Sequence, residues 1–122
     1  MNISNAELPV LEELWSESPL TVGQLIERVQ ENADWHDNTI KTLLSRLVKK
    51  EAVERYKDGR RFFYKAVVSR EVVVSKESEG FLHKFFDGEV APLVAHFADK
   101  KKLSQQDIKE IEKILSELKD DS

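Results

Sequence analysis

The chain contains no cysteine. That excludes a disulfide scaffold, a thiolate zinc site and a cysteine nucleophile. No stretch approaches the roughly 18 consecutive apolar residues that would read as a membrane-spanning helix. The opening stretch, Met1 to Trp15, is acidic and has no basic n-region, so it does not read as a secretory signal, and the expected compartment is the cytoplasm. A glycine-rich phosphate loop, a His-Glu-x-x-His motif and a clustered acid pair are missing, and His36, His83 and His96 stand far apart. No catalytic constellation is left, so the chain reads as a non-enzyme without a cofactor. Internal repeats and low-complexity tracts are lacking too.

What the chain does have is charge, unevenly placed. The 122 residues carry a net charge of −4. Residues 1–35 hold one basic and seven acidic side chains, whereas residues 36–65 hold nine basic and four acidic ones. Residues 66–122 return to an acidic balance, with nine basic and twelve acidic. A basic block inside an acidic protein suggests one face built for a polyanion, although a chain this rich in charge also produces lopsided windows by scatter.

The order of elements gives that block a context. Ser4-Asn5-Ala6-Glu7 reads as a capping box, with Leu8, Leu11, Leu14 and Trp15 at helical spacing behind it, predicting a helix over about 5–16. Pro9 predicts a bend or a late start there. Thr21-Val22-Gly23-Gln24 is a second capping box opening a helix over about 22–31, and a third helix runs from Asp37 to Lys50. Val53–Lys57 and Arg60–Val67 then read as strands about a tight Asp58-Gly59 turn, in which both central residues take positive φ. Three helices followed by a hairpin is the order of a winged helix-turn-helix. Ser69 can cap a further helix to about Phe86, interrupted at Gly80, and Gly88 and Pro92 bracket a short helix over about 89–97. Ser104 to Asp107 opens the last one. The expectation is a mainly α protein with a small β-hairpin wing: a winged-helix domain over 1–68 and a helical dimerisation domain over 69–122. The later helices carry apolar stripes that need a cover, and a second copy of the chain is the simplest one. Phe81, Phe85, Leu93, Phe97, Ile108, Ile111 and Leu115 are the dimerisation candidates.

The third helix divides by face. Ile40, Leu43, Leu44, Leu47 and Val48 fill one arc; Asn38, Thr42, Ser45, Arg46 and Lys49 fill the other, with Thr39 and Lys41 at its edges. No residue of the second arc is acidic and every one can donate a hydrogen bond. Short polar side chains with Arg and Lys suit a helix lying in a DNA major groove. An ordinary solvated face lacking Asp and Glu is the bland alternative. The hairpin adds Arg55, Lys57, Arg60, Arg61 and Lys65, cations that repel one another unless an anion such as a phosphate lies near. Thr39, Lys41, Thr42, Ser45 and Arg46 are therefore candidates for reading bases. Asn38, Lys49, Arg55, Lys57, Arg60 and Arg61 are candidates for holding phosphates. The interleaved Tyr56, Phe62, Phe63 and Tyr64 read as core rather than as stacking platforms for RNA. Glu79 and His83 stand i, i+4 and read as a surface pair, since a metal would need a third ligand. His36, near the start of the third helix, is placed to touch either a phosphate or only solvent, and the Lys100–Lys102 run reads as solvent-facing.

The stretches ISNAELPVLEELW, DWHDNTIKTLLSRLVKK, KDGRRFFYKAV and FDGEVAPLVAHFADKKKLSQQDIKEIEKIL resemble the penicillinase-repressor (BlaI/MecI) family over nearly the whole chain. The resemblance implies a homodimeric winged-helix repressor of inverted-repeat, double-stranded DNA operators. It places Thr39, Lys41, Thr42, Ser45 and Arg46 on the family's recognition helix, and Arg60 and Arg61 on its wing. The family's copper-responsive branch uses a cysteine-rich tail, a switch that this cysteine-free chain excludes. Its beta-lactam branch is derepressed when a membrane sensor-protease signals and the repressor is cut between Asn and Phe. The matching bond here is His96–Phe97, with His in place of Asn. Two rivals remain from other classes: an acidic winged-helix adapter that binds protein and not DNA, and a sensor holding a small ligand between wing and dimerisation domain.

Overall fold

The computed structural model describes residues 2–121. The chain runs α1 (Leu8–Ser16), β1 (Leu20–Thr21), α2 (Val22–Gln30), α3 (Asp37–Lys49), β2 (Val53–Asp58), β3 (Arg61–Ala66), α4 (Arg70–Phe86), α5 (Val90–Asp99) and α6 (Gln105–Asp120). It divides into two compact units, Met1–Lys76 and Glu77–Ser122. The sheet ends and α4 begins near the expected 68/69 boundary, but the first two turns of α4, residues 70–76, belong to the first unit, in whose core Val73 is buried.

Local chemistry accounts for most of the element ends. The Ser4–Glu7 box forms, with the Ser4 N–H donating to Glu7 Oε1 at 2.8 Å and the Glu7 N–H to Ser4 Oγ at 3.3 Å. It closes a turn over residues 5–7 rather than the first turn of the helix, so α1 starts at Leu8, three residues later than expected. Pro9 then sits in the first turn, where its missing N–H has no helical partner to lose, and the late start leaves no conflict with the helix. Thr21 and Gln24 complete the second box at 3.2 and 2.9 Å. Ser104 and Asp107 complete a third at 3.0 and 3.1 Å, opening α6. The Ser69 hydroxyl accepts from the Val72 N–H at 3.1 Å and caps α4.

Two expectations about glycine need correcting. α4 runs unbroken through Gly80, which lacks a positive φ; an isolated helical glycine lowers stability without ending the helix. The break comes at Asp87 and Gly88, both left-handed at φ 52° and 80°. In the hairpin, Asp58 pairs with Arg61, so the loop residues are Gly59 and Arg60 rather than Asp58 and Gly59. Gly59 has φ 66°, and Arg60 is not among the residues of positive φ. The register therefore moves by two residues, which leaves every side chain on its expected face. It sets buried Val53 opposite Ala66, against the core.

A third strand escapes the sequence. β1 pairs with β3, Leu20 opposite Tyr64 and Thr21 opposite Phe63, giving sheet order β1-β3-β2. Two residues are too few to show a period, and Thr21 serves both this strand and the α2 cap.

The core lies wholly in the first unit. Leu11, Leu14, Leu25, Ile40, Leu44, Leu47 and Val53 are each at most 2% exposed. A fully buried aliphatic side chain of this kind contributes about 1.5–3 kcal/mol. One charge joins them: Glu7 is fully buried. Its Oε1 accepts from Lys50 Nζ at 2.5 Å, and the same ammonium donates to the Asn2 carbonyl at 2.8 Å. The pair ties the N-terminal segment to the end of α3. Burial pushes the Glu7 carboxyl upward. The Lys50 hydrogen bond and then the Ser4 N–H outweigh it, and hold the group below the usual carboxylate value. A lowered folded pKa means stability that is present above the unfolded value and lost as pH falls through the folded one. Denaturant unfolding should therefore show an acid-side loss below about pH 5 that is much reduced in Glu7→Gln. Lys50→Met, which leaves a buried carboxylate unpaired, should cost about 1–3 kcal/mol at neutral pH.

Candidate nucleic-acid interface

α3 is built so that one arc cannot leave the core. Ile40, Leu43, Leu44 and Leu47 are at most 4% exposed, and Val48 is half-buried beside them. The turn before the helix is held by Gln30, whose side-chain amide donates to the Trp35 carbonyl at 3.0 Å and to Asp37 Oδ1 at 2.7 Å. His36 is the extended residue preceding the helix, and its side chain makes no capping bond. With the apolar arc fixed, Asn38, Thr39, Lys41, Thr42, Ser45, Arg46 and Lys49 are all turned outward and exposed. The Thr42 hydroxyl donates to the Asn38 carbonyl at 2.9 Å, so its oxygen and methyl group face out as an acceptor and an apolar contact.

The hairpin presents its cations on different faces. Alternation along β2 puts Val53, Arg55 and Lys57 on one face with Phe62, Tyr64 and Ala66 of β3. Arg55 lines a shallow hollow with Ser45, Val48 and Lys49 of α3 and Tyr64 of β3, so this face meets the exposed arc of the helix. Arg60 stands in the turn. Arg61 lies on the opposite face, across from Asp58, and Lys65 shares that face and pairs with Glu54 at 3.6 Å. The structure thus brings Ser45, Lys49 and Arg55 together and sets Arg61 apart from them.

Ion pairing separates the cations of the first unit into two groups. Arg28 meets Glu13 and Glu17 at 3.0 and 2.6 Å, Lys50 meets Glu7, Lys65 meets Glu54, and Arg70 meets Glu12 at 3.3 Å. Among the described residues, Lys41, Arg46 and Lys49 of α3 and Arg55, Lys57, Arg60 and Arg61 of the hairpin form no such pair. Seven unpaired cations on one helix arc and its adjoining hairpin make a surface suited to a polyanion.

The expectation that the hairpin aromatics are core holds in part. Tyr64 packs on the core, and Tyr56 stacks on Phe63 with ring centres 5.9 Å apart. Phe62 is 41% exposed, with the Arg55 guanidinium carbon 4.0 Å from its ring centre and Lys57 Nζ at 5.8 Å. Sequence reasoning missed this contact because it depends on the diagonal neighbour across the hairpin, which only the register reveals.

The second unit is different in kind. Among its described residues none is buried. Phe81, Phe85, Phe97 and Leu115 are 43–60% exposed, and Leu93, Ile108 and Ile111 are half-buried. Phe81 touches Phe85 and Phe86, and His96 lies against Phe86 and Phe97. The His83 ring covers Gly88, 3.2 Å from where a Cβ would stand. Among the described residues no cluster of three metal-ligating side chains occurs, and no helix is long and apolar enough to cross a membrane.

Comparison with known proteins agrees with this architecture. Residues 3–117 match the family model of the penicillinase repressor. The chain is 33% identical to the penicillinase repressor of Bacillus licheniformis, over 96% of this chain and 91% of that one. It is 36% identical to the methicillin resistance regulatory protein MecI of Staphylococcus aureus, over 93% of each. Among solved structures, it is similar to monomeric Bacillus licheniformis BlaI in complex with the blaP half-operator (TM-score 0.53, 34% identity, 58% of this chain and 87% of that one). The wild-type MarR protein of Escherichia coli shares the fold alone, at TM-score 0.53 and 19% identity over 96% of this chain and 78% of that one. The chain is a winged-helix protein and belongs to the penicillinase repressor family, whose members are DNA-binding transcriptional repressors and not enzymes.

Proposed function

We propose that this protein is a homodimeric, cytoplasmic transcriptional repressor that binds an inverted-repeat operator. The observation that carries the proposal is the set of seven unpaired cations on α3 and the hairpin, in a unit whose other described pairings place Arg28, Lys50, Lys65 and Arg70 against carboxylates. α3 enters the major groove, where Thr39, Lys41, Thr42, Ser45 and Arg46 meet base edges. Asn38, Lys49, Arg55, Lys57, Arg60 and Arg61 hold phosphates. The half-operator complex of the Bacillus licheniformis relative supports DNA binding by this chain.

The exposed apolar side chains of the second unit support the homodimer. Phe81, Phe85, Leu93, Phe97, Ile108, Ile111 and Leu115 pack against their counterparts in a second copy. A two-fold dimer then places its α3 helices in half-sites about one helical turn or somewhat more apart.

If each of the five cations assigned to phosphates (Lys49, Arg55, Lys57, Arg60 and Arg61) neutralises one, log affinity should fall against log salt with a slope of about −4.5 per subunit. A protein-binding adapter would show a shallow slope instead. Arg46→Ala should weaken operator binding by about 1–3 kcal/mol while changing affinity for random duplex far less, as a bidentate guanine contact would. An equal loss on both would make Arg46 a phosphate contact only. Fluorescence anisotropy with both duplexes at several salt concentrations measures each quantity.

A membrane sensor-protease that releases the operator by cutting His96–Phe97 completes the proposal. The bond lies in the last turn of α5, where helix ends fray and the backbone opens most easily. Incubation with activated sensor cells followed by intact-mass measurement should show the chain divided at this bond. Release of the operator by a chain still at 14.1 kDa would rule the cleavage out.

A further inference from the structure

Phe62 has no core to explain it. It is 41% exposed on the hairpin face that turns toward α3, yet two cations crowd it, Arg55 at 4.0 Å and Lys57 at 5.8 Å. In register it stands directly opposite Lys57 and diagonal to Arg55. Neither cation has a carboxylate partner among the described residues; on β2 the acids Glu54 and Asp58 occupy the other face. Arg55 at the same time lines the hollow it shares with Ser45 and Lys49 of α3.

The geometry points to Phe62 as a positioning residue: its ring holds the Arg55 guanidinium in place beside α3, ready for a phosphate. This rests on the DNA-binding reading above. A guanidinium offers a flat face and a rim of five N–H donors. A carboxylate partner would occupy the rim, whereas an aromatic ring takes the face and leaves the rim to a phosphate. The ring also steadies a side chain that otherwise loses much rotamer freedom when an anion fixes it. Its negative face offsets part of the repulsion between Arg55 and Lys57 without adding a formal charge that would repel DNA. Phe62 thus does at the wing what an acidic residue could do only by weakening the anion site.

Two readouts test it. In the free protein, Arg55 side-chain protons should be shifted upfield by the ring. Phe62→Leu should abolish that shift and disorder the Arg55 Nε–H, with little change in Tm. On operator DNA, Phe62→Leu should weaken binding about three- to tenfold. Phe62→Tyr should restore both readouts, and in an Arg55→Ala background Phe62→Leu should add little further loss. The inference is overturned if Phe62→Leu leaves the Arg55 signals unchanged. It is equally overturned if the loss on DNA is the same with and without Arg55, since that marks a general effect of the hairpin. A parent protein that binds no duplex fails the DNA reading itself, and the inference falls with it. A parent that binds with a steep salt slope, but shows no coupling between Phe62 and Arg55, fails the inference alone.

Discussion

The burial of one arc of α3 constrains everything else in the first unit. Ile40, Leu43, Leu44 and Leu47 are held between α1, α2 and the sheet, so the helix has no freedom to rotate about its axis. Rotation would bring Lys41, Arg46 or Lys49 into an apolar core without a partner, at a cost far above the stability of a small domain. The contact of exposed Lys50 with buried Glu7 fixes the same helix at its far end, from the N-terminal segment. The hairpin follows from the same packing, since Val53 and Ala66 must face the core for Arg55 and Lys57 to lie beside the exposed arc.

Such a surface is electrostatically expensive in isolation. The cations that serve folding have carboxylates nearby, while those on α3 and the hairpin tip do not. Unpaired like charges at close range lower stability until an anion arrives, so their cost becomes binding affinity. Phe62 eases that repulsion without occupying the donors. The second unit shows the apolar counterpart: helices with stripes of Phe, Ile and Leu and no buried residue among those described, a surface that demands a cover.

Much of this was legible in the residues. The capping boxes at Ser4 and Thr21 form, Ser104 opens α6 as its position suggests, and the two-faced pattern of α3 gives its orientation directly, because helical periodicity over thirteen residues is a strong signal. The less legible features depend on neighbours distant in sequence. β1 is two residues long and exists only because β3 passes beside it. The hairpin loop sits at Gly59-Arg60 because the pairing that suits Val53 and Ala66 outweighs the local preference of Asp-Gly. Gly80 reads as a breaker by propensity, yet propensity alone does not stop a helix whose neighbouring turns are intact. The exposure of Phe62 was hidden for the same reason: an aromatic in a strand usually packs inward, and only the register shows that the core ends at Tyr64.

The central claim is that two copies of this cationic face act together on one duplex. A selection of genomic fragments by the purified dimer at about 150 mM salt, read by sequencing, tests it most directly. The account predicts an enriched two-fold symmetric sequence, with half-sites about one helical turn or somewhat more apart. Recovery of no enriched sequence, from protein shown to be folded and dimeric, would contradict it and assign the basic face to another anionic partner.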